Sequence, residues 1–394
     1  MRFTYQPRRL RAAVIAGTTL AVAAGSLAYA GTATSRPAVT SIGTPKPAVA
    51  MRADPAGILK PGAQIRGMFL WKRQHAASEM IGDLPRLKAD GVNTIAVYIM
   101  LETSKINGSD VTQRADVRTG RDAVAVIKAA HRIGLAINLV PYIQIPATHS
   151  WHGYLNPTYP KLWFSNYRKI LRKYEDLAER NNVELFTIGT ELYTLQQDRF
   201  VPHWKELVAE ARRHFHGKLT YTSSIGGDAA LKMTWWNLVD YIGVSPYYTL
   251  SSKPNPPVNA LVQTWKRSYF PGLKSLSTKF NRKVLFGELG YTSNSYTAYK
   301  PATVFRHGIG ERSPQAQANA YQALFEATKG QTWYTGVQWF HWTTQRNPRN
   351  TDFDPRDKLA ECIIAKYWKT DVNPAGSVLA YQPALCWSAH VRVG

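Results

Sequence analysis

The stretch "VELFTIGTEL", residues 183–192, is an apolar run with β-branched residues that ends on a single carboxylate, Glu191. Such a short run, bounded by Gly and Thr, is typical of a strand covered on both faces, as in a parallel sheet. Glu191 would then lie where the strand gives way to its loop. From this stretch alone, a solvated or ion-paired loop carboxylate and a functional group both remain open.

Similar runs recur from residue 62 onward and alternate with helix-length segments whose apolar positions have 3.6-residue spacing. The predicted strands are 64–71, 93–100, 136–145, 183–189, 218–224, 240–248, 283–290 and 335–342. The predicted helices are 76–90, 120–134, 159–182, 203–216, 258–281, 313–329 and 356–369, with a shorter one in 228–240. Eight such repeats over residues 63–370 predict a single catalytic (β/α)8 TIM barrel of the α/β class. An open doubly wound sheet is the alternative, although no G-x-G-x-x-G turn follows the first strand.

The N-terminus has the pattern of an export signal. Residues 1–11 carry four arginines and no acid, and the apolar stretch that follows ends in the A-x-A pattern of residues 28–30. Residues 1–30 are therefore predicted to be a signal peptide and the protein to be secreted, with an uncleaved membrane anchor as the alternative. The arginine pair at residues 8–9 is compatible with the twin-arginine route.

Two further segments lie outside the predicted barrel. Residues 31–62 are rich in Pro, Ala, Thr, Ser and Gly without periodicity, which is typical of an extended linker. The C-terminal tail, residues 371–394, contains Cys386, and the only other cysteine is Cys362. In an exported chain this pair favours a disulfide that pins the tail to the barrel, and two free thiols are the alternative.

The chain is strongly basic, with 49 Lys and Arg against 26 Asp and Glu and a formal net charge of +23. The basic residues are scattered over predicted helices and form no recognised nucleic-acid-binding motif. For an exported protein this charge favours acidic cell-wall polymers as partners over specific nucleic-acid binding. We expect a monomer.

A second predicted strand also ends on a carboxylate. In "RKVLFGELGYTS", residues 282–293, the seventh strand closes on Glu288, across the barrel mouth from Glu191 at the end of the fourth. Glycoside hydrolysis needs two opposed carboxylates, one protonated and one ionised. The cysteine spacing and the histidines offer no metal set, and no cofactor motif is present in the sequence.

Aromatic residues concentrate at the same predicted strand ends. They are Trp71, Tyr142, Trp151, Tyr247, Tyr248, Trp339 and Trp342. Aromatic faces stack on pyranose rings, and their polar tips can hydrogen-bond to hydroxyl groups. With 12 Trp and 21 Tyr in the chain, some of these residues must belong to the core.

Several segments resemble glycoside hydrolase family 113, a clan A family of (β/α)8 barrels. They are "TIGTEL" (187–192), "DYIGVSPYYTL" (240–250), "LFGELGYTS" (285–293) and "TDFDPRDKLAECIIAKYW" (351–368), together with the third strand–helix unit from "AHRIGLAINLVPYIQI" (130–145) to "WFSNYRKILRKYEDLAE" (163–179). The resemblance extends over most of residues 65–369. It implies a retaining β-mannanase acting on β-1,4-mannan or manno-oligosaccharides.

By position, the resemblance makes Glu191 the acid/base and Glu288 the nucleophile. It implies that Tyr247 orients the nucleophile and that Trp342 forms the floor under the sugar at the cleavage point. Thr190 stands where many clan A enzymes have an asparagine that contacts the sugar 2-hydroxyl. The alternative function is a non-catalytic carbohydrate-binding or wall-binding barrel, suggested by the linker, the positive charge and an apolar third strand.

Overall fold

The computed structural model describes residues 58–60, 62–71, 77–114, 120–224, 228–304 and 308–369, and all of them belong to one compact unit, Ala50–Gly394. The predicted signal peptide and tail, and the predicted linker apart from residues 58–60 and 62, lie outside the described residues. Their boundaries stay predictions.

Eight parallel strands form a closed barrel. These eight strands, together with a short ninth strand, β3, are β1 Ile65–Trp71, β2 Thr94–Glu102, β3 Thr112–Gln113, β4 Ala136–Gln144, β5 Leu185–Thr190, β6 Lys218–Ser224, β7 Tyr241–Ser245, β8 Val284–Leu289 and β9 Tyr334–Thr343. All except β3 follow one another around the ring, and β1 pairs with both β2 and β9, which closes it. The two-residue β3 pairs antiparallel with the end of β2. The (β/α)8 barrel prediction is confirmed, and the open sheet is excluded.

The helices surround the barrel in the predicted order. They are α1 Ala77–Ala89, α2 Gly120–Arg132, α3 Pro160–Arg180, α4 Val201–His214, α5 Ala229–Lys232, α6 Val258–Thr264, α7 Phe270–Phe280, α8 Pro314–Thr328 and α9 Leu359–Lys369. A π-helical turn, Trp265–Tyr269, joins α6 to α7, and short 3-10 turns occupy His152–Tyr154, Asp198–Phe200 and Trp236–Leu238. All eight predicted helices are found, most with ends shifted by a few residues. The predicted helix 258–281 is divided by the π-helical turn into α6 and α7, and the short helix predicted in 228–240 is reduced to α5 and a 3-10 turn.

Most of the tryptophan lies between the strands and the helices. Trp204 and Trp235 are fully buried there and stack with their ring centroids 4.9 Å apart. Trp339 is likewise fully buried and stacks on Tyr321 at 4.0 Å. These aromatic side chains supply core area and cannot reach a sugar.

Layers of side chains fill the barrel interior beneath the carboxyl ends of the strands. Ile65, Leu185 and Leu285 form an apolar layer. A polar layer also lies inside the barrel, in which Asn138 Nδ2 donates to Gln338 Oε1 at 3.0 Å and Gln338 Nε2 donates to the Gly287 carbonyl at 3.1 Å. Because these layers close the barrel, a site has room only at the carboxyl ends of the strands.

In the ranges that the structure describes, no helix is both long enough and apolar enough to cross a membrane.

Candidate active site

Glu191 is the first residue after β5, and its backbone is left-handed, with φ of +51°. Two hydrogen bonds hold this conformation, from its N–H to the Thr222 carbonyl at 2.7 Å and from the Tyr193 N–H to its carbonyl at 2.8 Å. Residues with positive φ other than glycine cost about 1–3 kcal/mol and cluster at functional sites. The local fold therefore maintains a strained backbone in order to place this carboxylate.

Irregular strand pairing precedes both glutamates. Between β5 and β6 the paired residues shift from Thr187 and Thr220 to Thr190 and Thr222, so that three residue steps on β5 match two on β6. The same three-to-two shift occurs between β8 and β9, beside Glu288. Such bulges redirect side chains and are common next to active sites.

A glycine directly precedes Glu288 for a steric reason. A Cβ atom added at Gly287 would lie 2.5 Å from the Thr222 hydroxyl oxygen, which is closer than such atoms approach. The chain can therefore cross this part of the barrel only without a side chain. The strand can therefore approach Thr222 closely at Gly287, and the next side chain to project at the mouth is that of Glu288.

Two buried phenols hold the Glu288 carboxylate, one on each oxygen. Tyr98 on β2 donates to Oε2 at 2.6 Å, and Tyr247 after β7 donates to Oε1 at 3.0 Å. Burial and the charge of Glu288 raise the pKa of both phenols well above its usual value, so they remain neutral donors. Tyr98 is itself fixed by Phe69, whose ring centroid lies 4.7 Å away. Donors on both oxygens fix the carboxylate and favour its ionised form.

Glu191 has weaker support. Trp151 Nε1 donates to its Oε2 at 3.3 Å, and Ser245 lies beside the carboxyl. Burial raises the pKa of Glu191 above its usual value, against the effects of Ser245 and Trp151. Because burial outweighs both Ser245 and the long indole hydrogen bond, this carboxyl is the better place for a proton.

The two glutamates act as an electrostatic pair. Burial and the charge on Glu191 raise the pKa of Glu288, while the phenols of Tyr98 and Tyr247 oppose that rise. Because two nearby buried carboxylates resist ionising together, the pair holds one proton in the neutral range. The hydrogen bonds assign the charge to Glu288 and the proton to Glu191.

Tyr142 and Thr190 lie next to this pair. The half-buried Tyr142 ring is 5.1 Å from Tyr98 and meets His152 edge-on at 4.7 Å. Burial lowers the pKa of His152 to about 4, so this imidazole is neutral. Thr190 is buried, and its backbone hydrogen-bonds to His152. Trp71 ends β1, but its side chain lies outside what the structure describes.

The predicted role of Trp342 as a sugar floor is wrong. Its side chain is fully buried, with the guanidinium groups of Arg86 and Arg356 at 5.2 and 5.3 Å from the ring centroid. The cause is a bulge in β9, where Met68 pairs with Trp339 but Leu70 pairs with Trp342. The extra residue reverses the inward and outward alternation that the sequence pattern assumes.

Phe340 points into the mouth instead, and neither it nor Tyr98 was among the site residues predicted from the sequence. The partly exposed Phe340 packs against the cluster of Phe69, Tyr98, Met100 and Val140 inside the barrel. Tyr98 has a detectable signal, because Ala96, Tyr98 and Met100 alternate along β2 and share its inner face. Phe340 also has one, because it follows the inward-facing Gln338 by two residues on β9.

The remaining predicted site concerns cysteine. Cys362 lies on α9 and is disulfide-bonded, whereas Cys386 lies outside the described residues, so the pairing of the two stays a prediction. Within the described ranges, no group of three or more His, Cys, Asp or Glu side chains is arranged to hold a metal ion.

Comparisons with known proteins agree with this geometry. The model of Glycoside Hydrolase Family 113 matches residues 66–358. A family 113 β-1,4-mannanase structure has a TM-score of 0.69 at 23% identity and covers 78% of this chain and 99% of its own. The family 113 β-mannanase AaManA from Alicyclobacillus acidocaldarius, in complex with ManMIm, has a TM-score of 0.69 at 21% identity, with 78% and 98% coverage.

More distant barrels are also similar. A β-glucuronidase from Ruminococcus gnavus has a TM-score of 0.54 at 11% identity and covers 78% of this chain and 50% of its own. A search of curated protein sequences finds no match. At these identities the solved structures demonstrate the shared barrel, while the family model covers well over half of the chain. The chain therefore belongs to glycoside hydrolase family 113 and is a glycoside hydrolase.

Proposed function

We propose that the protein is a secreted, retaining β-glycoside hydrolase that acts on β-1,4-mannan or manno-oligosaccharides. The observation that carries this proposal is the asymmetric pair of half-buried glutamates. Glu288 accepts two phenol hydrogen bonds, and Glu191 accepts one long indole hydrogen bond. This asymmetry supplies one ionised and one protonated carboxyl, as double displacement requires.

In the first step a Glu288 carboxylate oxygen attacks the anomeric carbon. The bond from that carbon to the glycosidic oxygen breaks, and the proton of Glu191 passes to the departing oxygen. Tyr98 and Tyr247 keep the attacking carboxylate in place. The products of this step are a covalent glycosyl-enzyme and a free leaving sugar.

In the second step the roles of the carboxyls reverse. The now ionised Glu191 takes a proton from water while the water oxygen bonds to the anomeric carbon. The bond from that carbon to Glu288 breaks, which restores the carboxylate. Two inversions at the same carbon return the β configuration.

The choice of mannan rests on similarity. Two of the solved family 113 structures with the same barrel are described as β-1,4-mannanases. Phe340, Tyr142 and Trp151 surround the mouth with aromatic faces suited to neutral pyranose rings. Export rests on the signal pattern of residues 1–30.

The test is a substrate panel of mannan, glucan and xylan with the wild type, Glu191→Gln and Glu288→Ala. We expect sugar release from mannan by the wild type, a β-configured first product by NMR, and loss of release in both variants. Activity that survives both substitutions contradicts the assignment. Binding of mannan without any release, undiminished in both variants, would establish the non-catalytic barrel instead.

A separate observation favours attachment to an anionic cell-wall polymer. Between Asp240 and Glu288 the chain carries seven Lys and Arg and no acid. Four of these cations, Lys266, Arg267, Lys274 and Lys279, are exposed on the helix that runs from α6 to α7. We expect retention on a polyphosphate resin that falls steeply with salt, and salt-independent retention would contradict this attachment.

A further inference from the structure

Gln317 on α8 is a fully buried amide that connects two loops at the carboxyl ends of the strands. Its Nε2 donates to the Tyr291 carbonyl at 2.8 Å and to the Phe353 carbonyl at 3.2 Å. Its Oε1 accepts a hydrogen bond from the Ser293 hydroxyl at 2.6 Å, and the Ser293 N–H donates to the Asp352 carbonyl at 3.1 Å. The loop after β8 and the connection from β9 to α9 are therefore held together by this one side chain and its neighbour.

Phe353 links this pair of loops to the catalytic site. Its buried ring meets the Tyr247 ring edge-on, with the centroids 6.3 Å apart, and it meets the Phe340 ring at 5.4 Å. A Cβ atom added at Gly290, two residues after Glu288, would lie only 2.8 Å from Phe353 Cδ1. The Phe353 ring is therefore packed between the end of the strand that carries the nucleophile and the phenol that holds it.

The position of Tyr247 matters because its hydrogen bond to Glu288 depends on distance and angle. The hydroxyl of Tyr247 donates to Oε1 of Glu288 at 3.0 Å, near the upper end of the usual range for such a bond. A ring that moves into space given up by Phe353 lengthens this bond, and hydrogen bonds weaken steeply outside that geometry.

We propose that Gln317 is a positioning residue, because it keeps Phe353 against Tyr247, the phenol that holds the nucleophile. This inference rests on the proposed function of Glu288. Because Gln317 has no exposed surface, it cannot meet the sugar. Its effect on the reaction must pass through Phe353 and Tyr247.

The proton affinity of Glu288 distinguishes positioning from simple support of the fold. The titratable groups that face Glu288 are Glu191, Tyr98 and Tyr247. Burial and the charge on Glu191 raise the pKa of Glu288, and the two phenols oppose that rise. A weaker Tyr247 hydrogen bond should raise this pKa further. The acidic limb of the kcat/KM profile should then move to higher pH, because the nucleophile must be ionised to attack.

The first test is Gln317→Leu in the full chain, with mannan as substrate. We expect kcat to fall about threefold to 20-fold and the acidic limb to move to higher pH. Phe353→Leu, which removes the packed ring but keeps the backbone carbonyl that Gln317 binds, should move the limb in the same direction. If Gln317→Leu fails to fold, Phe353→Leu still tests the route.

Asn93 provides a matched control at the other end of the barrel, just before β2. Its amide also makes three hydrogen bonds, donating to the Gln64 carbonyl at 2.8 Å and accepting from the Arg66 N–H at 2.8 Å and the Thr94 hydroxyl at 2.9 Å. Asn93→Leu should lower stability without moving the acidic limb. A limb that moves equally in this variant would reduce Gln317 to a structural role.

A double-mutant cycle with Tyr247→Phe tests the path of the effect. Tyr247→Phe already removes the hydrogen bond to Glu288, so adding Gln317→Leu should lower kcat by no more than about a further twofold. The same fall in kcat in both backgrounds would overturn the inference.

A titration without substrate separates this inference from the proposed function. In protein labelled with ¹³C at the glutamate carboxyls, the Glu288 signal is identified by its absence from Glu288→Gln. Its pKa should rise in Gln317→Leu and in Phe353→Leu and stay unchanged in Asn93→Leu. If the wild type cleaves no substrate, the proposed function fails, and this titration still decides whether Gln317 positions the carboxylate. An unchanged Glu288 pKa in the first two variants would overturn the inference.

Discussion

The barrel contains two buried acidic groups that resemble each other in composition and differ in their partners. At the mouth, Glu191 and Glu288 receive hydrogen bonds from phenol and indole groups. Between α1 and α9, Glu361 and Asp357 both accept hydrogen bonds from Arg86. The first group has neutral donors, and the second has a cation.

The hydrogen-bond partners determine whether the pKa of each buried acid ends above or below its usual value. Burial raises the pKa of Glu191, and neutral donors only partly oppose that rise. Burial would also raise the pKa of Asp357, but hydrogen bonds from Arg86 and Arg346 outweigh it and hold that pKa below its usual value. An acid paired with a cation stays ionised and stabilises the fold, whereas an acid among neutral donors can exchange a proton. Burial of a carboxylate is therefore no sign of catalysis until its partners are known.

The largest expected difference between the two groups is in activity. Glu288→Ala should lower kcat on mannan by roughly 10⁴-fold to 10⁶-fold, because the attacking atom is lost. With β-mannobiosyl fluoride as substrate, added azide should restore part of the rate and yield the α-mannobiosyl azide, because a small anion can occupy the vacated space. Glu102→Ala is the control, since Glu102 also ends a barrel strand but pairs with Arg114 at 3.5 Å, and it should retain most activity. An inactive Glu102 variant or a fully active Glu288 variant would contradict the comparison.

The next effect is on stability. Arg86→Ala should lower the free energy of unfolding by about 3–5 kcal/mol, because it leaves Glu361 buried without its cation, leaves Asp357 with Arg346 alone and removes a cation from over the Trp342 ring. Arg168→Ala, which breaks a pair with the exposed Glu206, should cost less than about 1 kcal/mol. Urea denaturation measures the free energy of unfolding of both variants. Similar losses would show that the buried ion pairs of Arg86 stabilise the fold no more than an exposed pair does.

A smaller effect tests the neutral donors directly. Tyr98→Phe removes the 2.6 Å hydrogen bond to Glu288 but retains the ring that stacks on Phe69. We expect kcat to fall roughly 10-fold to 100-fold. The acidic limb of the pH–rate profile should move to higher pH, because that hydrogen bond lowers the pKa of Glu288. A fall in kcat with an unmoved acidic limb would indicate a purely structural role for Tyr98.

The smallest expected effect is on how folding stability depends on pH, and it has opposite signs in the two acidic groups. Glu191 has a raised folded-state pKa, so its contribution to stability is present below the unfolded pKa and is lost as the pH rises through the folded value. Glu191→Gln should therefore stabilise the fold at pH 7 and change little near pH 4.

Asp357 behaves in the reverse way. Its folded-state pKa is depressed, so its contribution is present above the unfolded pKa and is lost as the pH falls through the folded value. Asp357→Asn should destabilise the fold at pH 7 and should do so less near pH 3. Chemical denaturation at these pH values checks both variants, and effects of the same sign would remove the distinction drawn between the two groups.

Much of this site could be predicted because strand ends converge in a barrel. Glu191 and Glu288 each close an apolar run, and parallel strands bring their carboxyl ends to one face. The hydrogen bond from Tyr247 to Glu288 also agrees with the role inferred for that tyrosine. The positions of the two glutamates needed only the period of the sequence and the direction of the strands, whereas the role of Tyr247 came from the family resemblance.

Trp342 and Phe340 mark the limit of that approach. Alternation along β9 assumes a regular strand, and the bulge opposite Met68 and Leu70 reverses the faces at that point. No local sequence pattern predicts the bulge, because a bulge depends on how two strands pair. Trp342 is consequently turned away from the mouth, with Arg86 and Arg356 over its ring, while Phe340 stays on the inner face.

The sequence by itself determined the number and order of the strands and helices, and the position of both glutamates at strand ends. Apolar period and chain direction are local properties, so they can be recognised without coordinates. Only the tertiary structure decided which donors each carboxylate meets. Tyr98 and Glu288 are 190 residues apart in the chain, and their 2.6 Å hydrogen bond exists only because the barrel closes. The difference between an acid that reacts and an acid that stabilises depends on such contacts, since burial acts on both alike.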